Sequence, residues 1–367
     1  MMDKRPDGLT ARGRSALLWC LLLAPLIRQL PSSVVPYAGS ASWLSVLLAV
    51  PPLLLGLWLL TRILRRCRNG EGLGELMLRA LGDKAGRLVV FLYTLWLSFY
   101  AGFVLRAGAD RFVAAVYTTS PIWLFAVVML ALAVLAGLGR LRVLGRCAEI
   151  ASVLLGLVFL LVFVFALPGV ESENLLPLTR ADLPGALRGV PPVLGTFGIG
   201  VCLAFSDRRD GDALRERSLL PSILLLVLLG FLLCVTTVGT FGAELTDAMN
   251  YPFFVMIRGI HIFHLLERIE ALIIAQWVAA DFLLLGVLLR AASDAYTLAF
   301  FGAGTPRKSA GVWFAAALAA VSAWLCAPSA FALHALARDV VPKVNAVMLA
   351  AAVLICLLGR LKADGNN

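Results

Sequence analysis

Between positions 264 and 282 the chain reads HLLERIEALIIAQWVAADF, which drives the carboxylates of Glu267, Glu270 and Asp281 and the guanidinium of Arg268 into an otherwise membrane-spanning run. Charge inside a bilayer is costly, so a functional site is the first expectation for such residues. At about 100° per residue, Glu267, Glu270, Ile274, Trp277 and Asp281 share one helical stripe while Arg268 points away. Glu267 and Glu270 stand at the outer end, where water or an interface helix can solvate them. Asp281 lies about 16 Å further along by helical rise. It is a candidate cation or proton site, or a partner for a ligand ammonium. The competing readings are a pair with an arginine of another helix and a buried acid kept neutral.

Arg28 falls about halfway along an earlier apolar run, with no carboxylate in its own helix. Its planar fork suits the carboxylate of an amino acid or similar nutrient; pairing with Asp281 or Asp110 would satisfy it equally well. Arg106 and Asp110 are one turn apart and can pair within their helix, either as structure or as a gate toward an outer vestibule. The aromatics Tyr93, Trp96, Phe99, Tyr100 and Phe103 could roof a ligand pocket, although such stripes also pack against neighbouring helices. His261 and His264 are spaced i, i+3 but have no third or fourth ligand nearby, so no metal is expected. There is no P-loop, nucleotide fingerprint, HExxH or Ser-His-Asp ordering, and neither an enzyme nor a cofactor is expected.

Composition assigns the class: 61% of the 367 residues are hydrophobic and 15% charged, whereas charged residues approach about a quarter of an ordinary soluble domain. The seven cysteines are scattered without CxxC spacing and read as small buried hydrophobes. Ten apolar spans are expected, near 14–33, 41–61, 88–116, 120–138, 147–168, 189–206, 219–241, 264–290, 310–327 and 343–360, forming one membrane domain over 1–367. With an inside N-terminus, 23 of the 32 Lys and Arg fall in inner segments and only Arg180, Arg188, Arg338 and Lys343 in outer loops. That bias places both termini in the cytoplasm. The net charge of +10 is then a matter of orientation and of anionic membrane lipid, and no nucleic-acid partner is expected.

Span one carries Pro25 and Pro31, and span six carries Pro191, Pro192, Gly195, Gly198 and Gly200. Breaks at corresponding first and sixth positions are the pattern of LeuT-like 5+5 inverted-repeat transporters, whose unwound helices bind substrate near the midplane. The fold expected is therefore an all-α membrane protein with helices 1 and 6 broken. The candidate ligand set is Pro25, Arg28, Pro31, Gly195, Gly198, Gly200, Trp96, Phe103 and Asp281. Prolines and glycines that merely kink and pack membrane helices are the plainer alternative.

The stretch ERIE…W at 267–277 resembles a motif of the endospore germination permease family, the B subunits of nutrient-sensing germinant receptors within the amino acid/polyamine/organocation transporter superfamily. The likeness extends to LPSSVVPYAGSASWLS at 30–45, matching at Pro31, Ala38, Gly39, Trp43 and Ser45. It continues through YTLWLSFYAGFVLRAGADRFVAAVYTTSP at 93–121, GRCAEI at 145–150 and NLLPL at 174–178. The family usually has glycines in the first break, where this chain has Pro25 and Arg28. Many relatives have an acid after the glycine of the sixth helix; here none precedes Asp207.

The resemblance implies a germinant-binding membrane subunit in the spore inner membrane, partnered by a larger A subunit and a lipoprotein C subunit. It would bind a small nutrient such as an amino acid between helices 1 and 6 and pass the signal on. Arg106, Asp110, Glu267, Arg268 and Glu270 are the candidates for gating or assembly. An ordinary amino acid or polyamine permease and a scaffold subunit with a vestigial pocket are the alternatives.

Overall fold

The computed structural model describes residues 9–65, 67, 71–115, 120–176, 178–207, 216–249, 251–259, 269–325 and 328–364. The described residues form helices and no strand. In chain order these are α1 (Ala11–Ala38), α2 (Ser42–Leu48), α3 (Val50–Leu64), α4 (Leu73–Leu81), α5 (Asp83–Ala115), α6 (Ile122–Leu138), α7 (Leu141–Ala166) and α8 (Leu183–Arg188). They continue with α9 (Val190–Gly198), α10 (Leu203–Ser206), α11 (Glu216–Ala248), α12 (Pro252–Gly259), α13 (Ile269–Phe301), α14 (Ser309–Leu325), α15 (Ala330–Ala335) and α16 (Val341–Asp364).

Among the described residues, seven segments are long and apolar enough to cross a bilayer, and α6 and α14, at 17 residues each, are shorter apolar helices. The first segment, Ala11–Leu64, has 54 residues, far more than the roughly 20 that one crossing needs. It turns at Gly39, whose φ of +54° suits a residue without a Cβ.

Each helix end has a local cause. Thr10 caps α1 by accepting from the Gly13 amide, and Glu75 reaches back to the Gly72 amide to start α4. The last carbonyls of α6 and of its cap are taken by two arginines from later in the chain, Arg290 on α13 and Arg307 in the connection that follows it. Arg307 donates to Gly137 and Leu138, and Arg290 to Gly139, which both satisfies orphan acceptors and opposes the negative helix end. Ahead of α8, the Thr179 amide and hydroxyl both donate to Asp182 and hold its carboxyl below the usual range.

Helix α1 is the centre of the molecule. Every residue from Leu17 to Val35 is buried, as expected of a helix apolar on all sides, and it packs against α11, α7, α9 and α13. A second layer pairs α5 with α13 and α14, while α16 lies on α9 and α4. By contrast α7 turns Ile150, Val153, Leu157 and Leu160 outward, the surface a lipid would cover.

The first break is corrected by the structure. Pro25, Pro31 and Pro36 all lie inside α1, which runs unbroken. A membrane helix tolerates prolines where neighbouring helices enclose the freed backbone groups, and Pro25 and Pro31 are both buried. The sixth segment is divided as expected: α9 passes through a 3-10 turn, Ile199–Cys202, into the four residues of α10. An interruption not foreseen sits in α11 at Gly242, where φ is +74°. There the loop after α7 docks, with the Glu171 amide and the Asn174 side chain both donating to the Gly239 carbonyl.

Candidate functional site

Arg28 on α1, Arg111 on α5 and Asp281 on α13 meet in the interior. Arg28 Nη1 donates to Asp281 Oδ1 at 3.3 Å, and Arg111 Nη2 donates to Oδ2 of the same carboxylate. The Arg28, Arg111 and Asp281 side chains are only 1%, 8% and 2% exposed. Two guanidinium groups thus share one acid, and this triad carries one positive charge in excess. Aromatic faces offset part of the cost: Arg28 lies 5.1 Å from the centroid of Phe103 and Arg111 lies 5.4 Å from that of Trp277.

Around Arg28 several buried polar atoms make no hydrogen bond of good geometry, namely its own Nε and Nη2, both ends of the Gln29 amide and the Ser32 hydroxyl, and the Tyr100 hydroxyl interacts with Arg28 and Gln29. Most native interiors satisfy such atoms, so each one asks for an explanation. Gln29 and Ser32 are near neighbours of Arg28 on α1, and Tyr100 lies against Arg28 and Gln29 from α5. A carboxylate could accept from Arg28 Nε and Nη2 together, while the amide and hydroxyls could read its neighbouring atoms.

Of the residues singled out from sequence, Arg28, Phe103 and Asp281 come together here. Trp96 is one ring removed, 6.1 Å from Tyr100, which is itself 5.7 Å from Phe103. Its indole donates to Asn345 on α16. The stripe on α13 is also as expected, for Ile274, Trp277 and Asp281 line one small void of about 10 Å³. Arg106 and Asp110 pair within α5 at 3.2 Å, and Asp110 also accepts from the Tyr251 hydroxyl at 3.2 Å, which ties α5 to the start of α12.

The glycines do different work. A Cβ on Gly195 would stand 1.8 Å from the Pro342 carbonyl oxygen and one on Gly198 2.8 Å from that of Asn345. These two positions let α9 touch the backbone of α16 rather than line the Arg28 cluster. Gly200 faces Leu18 and Leu22 on α1. Pro25 and Pro31 stand within α1, roughly a turn on either side of Arg28. Glu267 and Arg268 lie outside the described residues, as does the side chain of Glu270.

A second polar cluster lies about 21 Å away along α1, fourteen residues before Arg28. Arg14 pairs with Asp207 at the end of α10, the neighbouring Ser206 donates to Asp294 on α13, and Arg290 stands 4.0 Å from that acid. Sequence had placed Arg14 and Arg290 among loop charges; both are buried. Among the described residues no group of His, Cys, Asp and Glu is arranged to hold a metal.

A family model described as a spore germination protein matches residues 16–319. The chain belongs to the spore germination permease family. Relatives from Bacillus subtilis (strain 168) include YfkT, which carries a spore germination name, at 24% identity over 70% of each chain. Spore germination protein KB is 23% identical over 69% of each chain. Among solved structures, the chain is similar to the manganese transporter of Eremococcus coleocola. In complex with an aromatic bis-isothiourea substituted compound that transporter gives a TM-score of 0.60 at 16% identity, covering 95% of this chain and 78% of the other. A mutant of it gives 0.58 at 15% identity with the same coverage. At that identity the likeness speaks for the fold alone, which is the LeuT-like transporter fold. The chain is thus a germination-related, multi-pass membrane protein of permease-like architecture.

Proposed function

We propose that this protein is the nutrient-binding membrane subunit of a spore germination receptor, seating a small carboxylate-bearing molecule at Arg28 and passing the change to partner subunits. The observation that carries the reading is the buried surplus of positive charge beside donors on Arg28 and Gln29 that no hydrogen bond of good geometry satisfies. An anion neutralises that surplus; a divalent cation would add to it. The manganese named for the structural relative is therefore not the cargo proposed here. The expected partners are an A subunit and a lipoprotein C subunit, and the expected place is the spore inner membrane, with ten passes and both termini cytoplasmic.

The void beside Asp281 has room for about one water. A shift of α1 relative to α5 and α13 on nutrient binding at Arg28 is the movement that partner subunits would read. Ligand shifts such an equilibrium only by binding one arrangement more tightly than the other.

The test is binding of amino acids and of their carboxamide analogues to the purified protein. Carboxylates should bind and amides should not, and Arg28→Gln should abolish the distinction while leaving the protein folded. Equal binding of acid and amide to the wild type would overturn the reading. The transporter fold itself favours one rival, a permease that moves its substrate without partners. Uptake of radiolabelled ligand into proteoliposomes holding this chain alone would establish that rival.

A further inference from the structure

A groove of about 400 Å³ runs along the outside of α1, walled by α3 on one side and by α9, α10 and α16 on the other. Its lining is apolar apart from Arg14, Thr61 and Asp207. Those three are occupied: Arg14 and Asp207 with each other, and the Thr61 hydroxyl with the Leu57 carbonyl. No polar solute finds a partner there, so the occupant has to be hydrocarbon.

The shape is that of a slot one leaflet deep. Along α3 the lining extends from Pro52 to Leu64, about 18 Å by helical rise, against roughly 15 Å for half of a hydrocarbon core. Arg14 near the start of α1, Leu64 at the end of α3 and Leu354 toward the end of α16 mark one mouth; Leu22, Pro52 and Ala346 mark the deep end. Small residues that ordinarily let membrane helices touch, among them Gly56, Ala204 and Ala350, face the slot instead. A Cβ built on Gly56 meets nothing within 4 Å.

The mouth is basic. Arg62 and Arg65 follow one another at the end of α3, both exposed, and the Arg62 guanidinium sits 4.9 Å from the ring centroid of Trp58. We infer that this groove binds one anionic phospholipid, with an acyl chain in the slot and the headgroup phosphate at Arg62 and Arg65. Charge complementarity at the mouth, leaflet depth and an apolar lining together select that occupant over a neutral lipid or a polar ligand. The site stands apart from the Arg28 cluster and does not depend on the reading given to it.

The experiment is native mass spectrometry of the full chain in neutral detergent, titrated separately with phosphatidylglycerol, phosphatidylcholine of the same chains, and oleate. The expected result is one phosphatidylglycerol per chain, favoured over phosphatidylcholine by about fivefold for each arginine. The preference should fall in Arg62→Gln and vanish in Arg62→Gln/Arg65→Gln. Gly56→Phe fills the slot and should remove the tightly held lipid without lowering the thermal midpoint; Ala350→Phe does the same from the opposite wall. Equal binding of the two phospholipids to the wild type would overturn the proposal. So would retention of phosphatidylglycerol by both filled variants, or oleate displacing it one for one at equal affinity. Loss of the lipid when partner subunits are added would assign the slot to a subunit helix and overturn it as well.

Discussion

Replacing Asp281 by asparagine tests the shared-carboxylate arrangement directly. In the wild type the carboxylate meets Arg28 at 3.3 Å and also accepts from Arg111, with all three side chains nearly sealed from solvent. Removing one member of a buried ion pair costs about 3–5 kcal/mol, because the other charge is left uncompensated. Here two charges are left. Their mutual repulsion, about 3 kcal/mol at about 6 Å and an effective dielectric near 20, is present in the wild type too, so the variant loses both attractions to the carboxylate and its cost lies at or above the top of that range. Asp281→Asn should therefore lower the melting midpoint of the detergent-purified protein by about 10 °C or more. Arg28→Gln has a different fate, since Arg111 and Asp281 remain as a neutral pair and the surplus charge disappears. Its cost should stay near 1 kcal/mol, a shift of a few degrees. The double variant Arg28→Gln/Asp281→Asn leaves Arg111 alone and should not be rescued. Thermal shift and the monodisperse fraction on size-exclusion chromatography measure all three. An Arg28→Gln midpoint as low as that of Asp281→Asn would refute the arithmetic and reduce the cluster to a simple pair.

Gly195→Ala should fail to accumulate or should lose about 2 kcal/mol or more, because its Cβ would meet the Pro342 carbonyl, whereas Gly56→Ala should be neutral; thermal shift separates them. Arg307→Gln should cost about 1–2 kcal/mol by freeing the Gly137 and Leu138 carbonyls, and faster amide exchange confined to the end of α6 and the segment after it would locate the effect. Asp207→Asn should loosen the contact between α1 and α10, so that the buried Cys202 thiol, one turn earlier, reacts with maleimide faster than in the wild type. Unchanged labelling would show that the Arg14 pair does not hold this end shut.

The sequence carried a good part of this. Periodicity is enough to put Ile274, Trp277 and Asp281 on one stripe, and the lack of an acid near Arg28 in its own helix points to a partner from elsewhere, Asp281 or Asp110, of which the structure shows Asp281. Arg111 went unread because it follows Asp110, whose spacing to Arg106 drew attention to an intrahelical pair. One residue further on is about 100° further round, and so toward α13 instead. The signal was available, since Arg111 belongs to no loop that the positive-inside count could claim. Proline and glycine misled for a different reason. Their backbone effects are local, but whether Pro25 breaks a helix or Gly195 opens one depends on what stands next to it. Neighbours enclose α1, and α16 presses its carbonyls onto α9, neither of which a linear pattern records.

An unbroken first helix alters what motion at its middle can do. A hinge lets one half swing while the other stays still; a continuous rod does not. Arg28 stands near its midpoint and Arg14 about 21 Å toward one end, so a tilt of about five degrees at the ligand seat carries Arg14 roughly 2 Å sideways from Asp207. With a nutrient seated at Arg28 as proposed, the rod would work as a seesaw with its fulcrum near the seat, and a small tilt there would become its largest displacement at the two faces of the membrane.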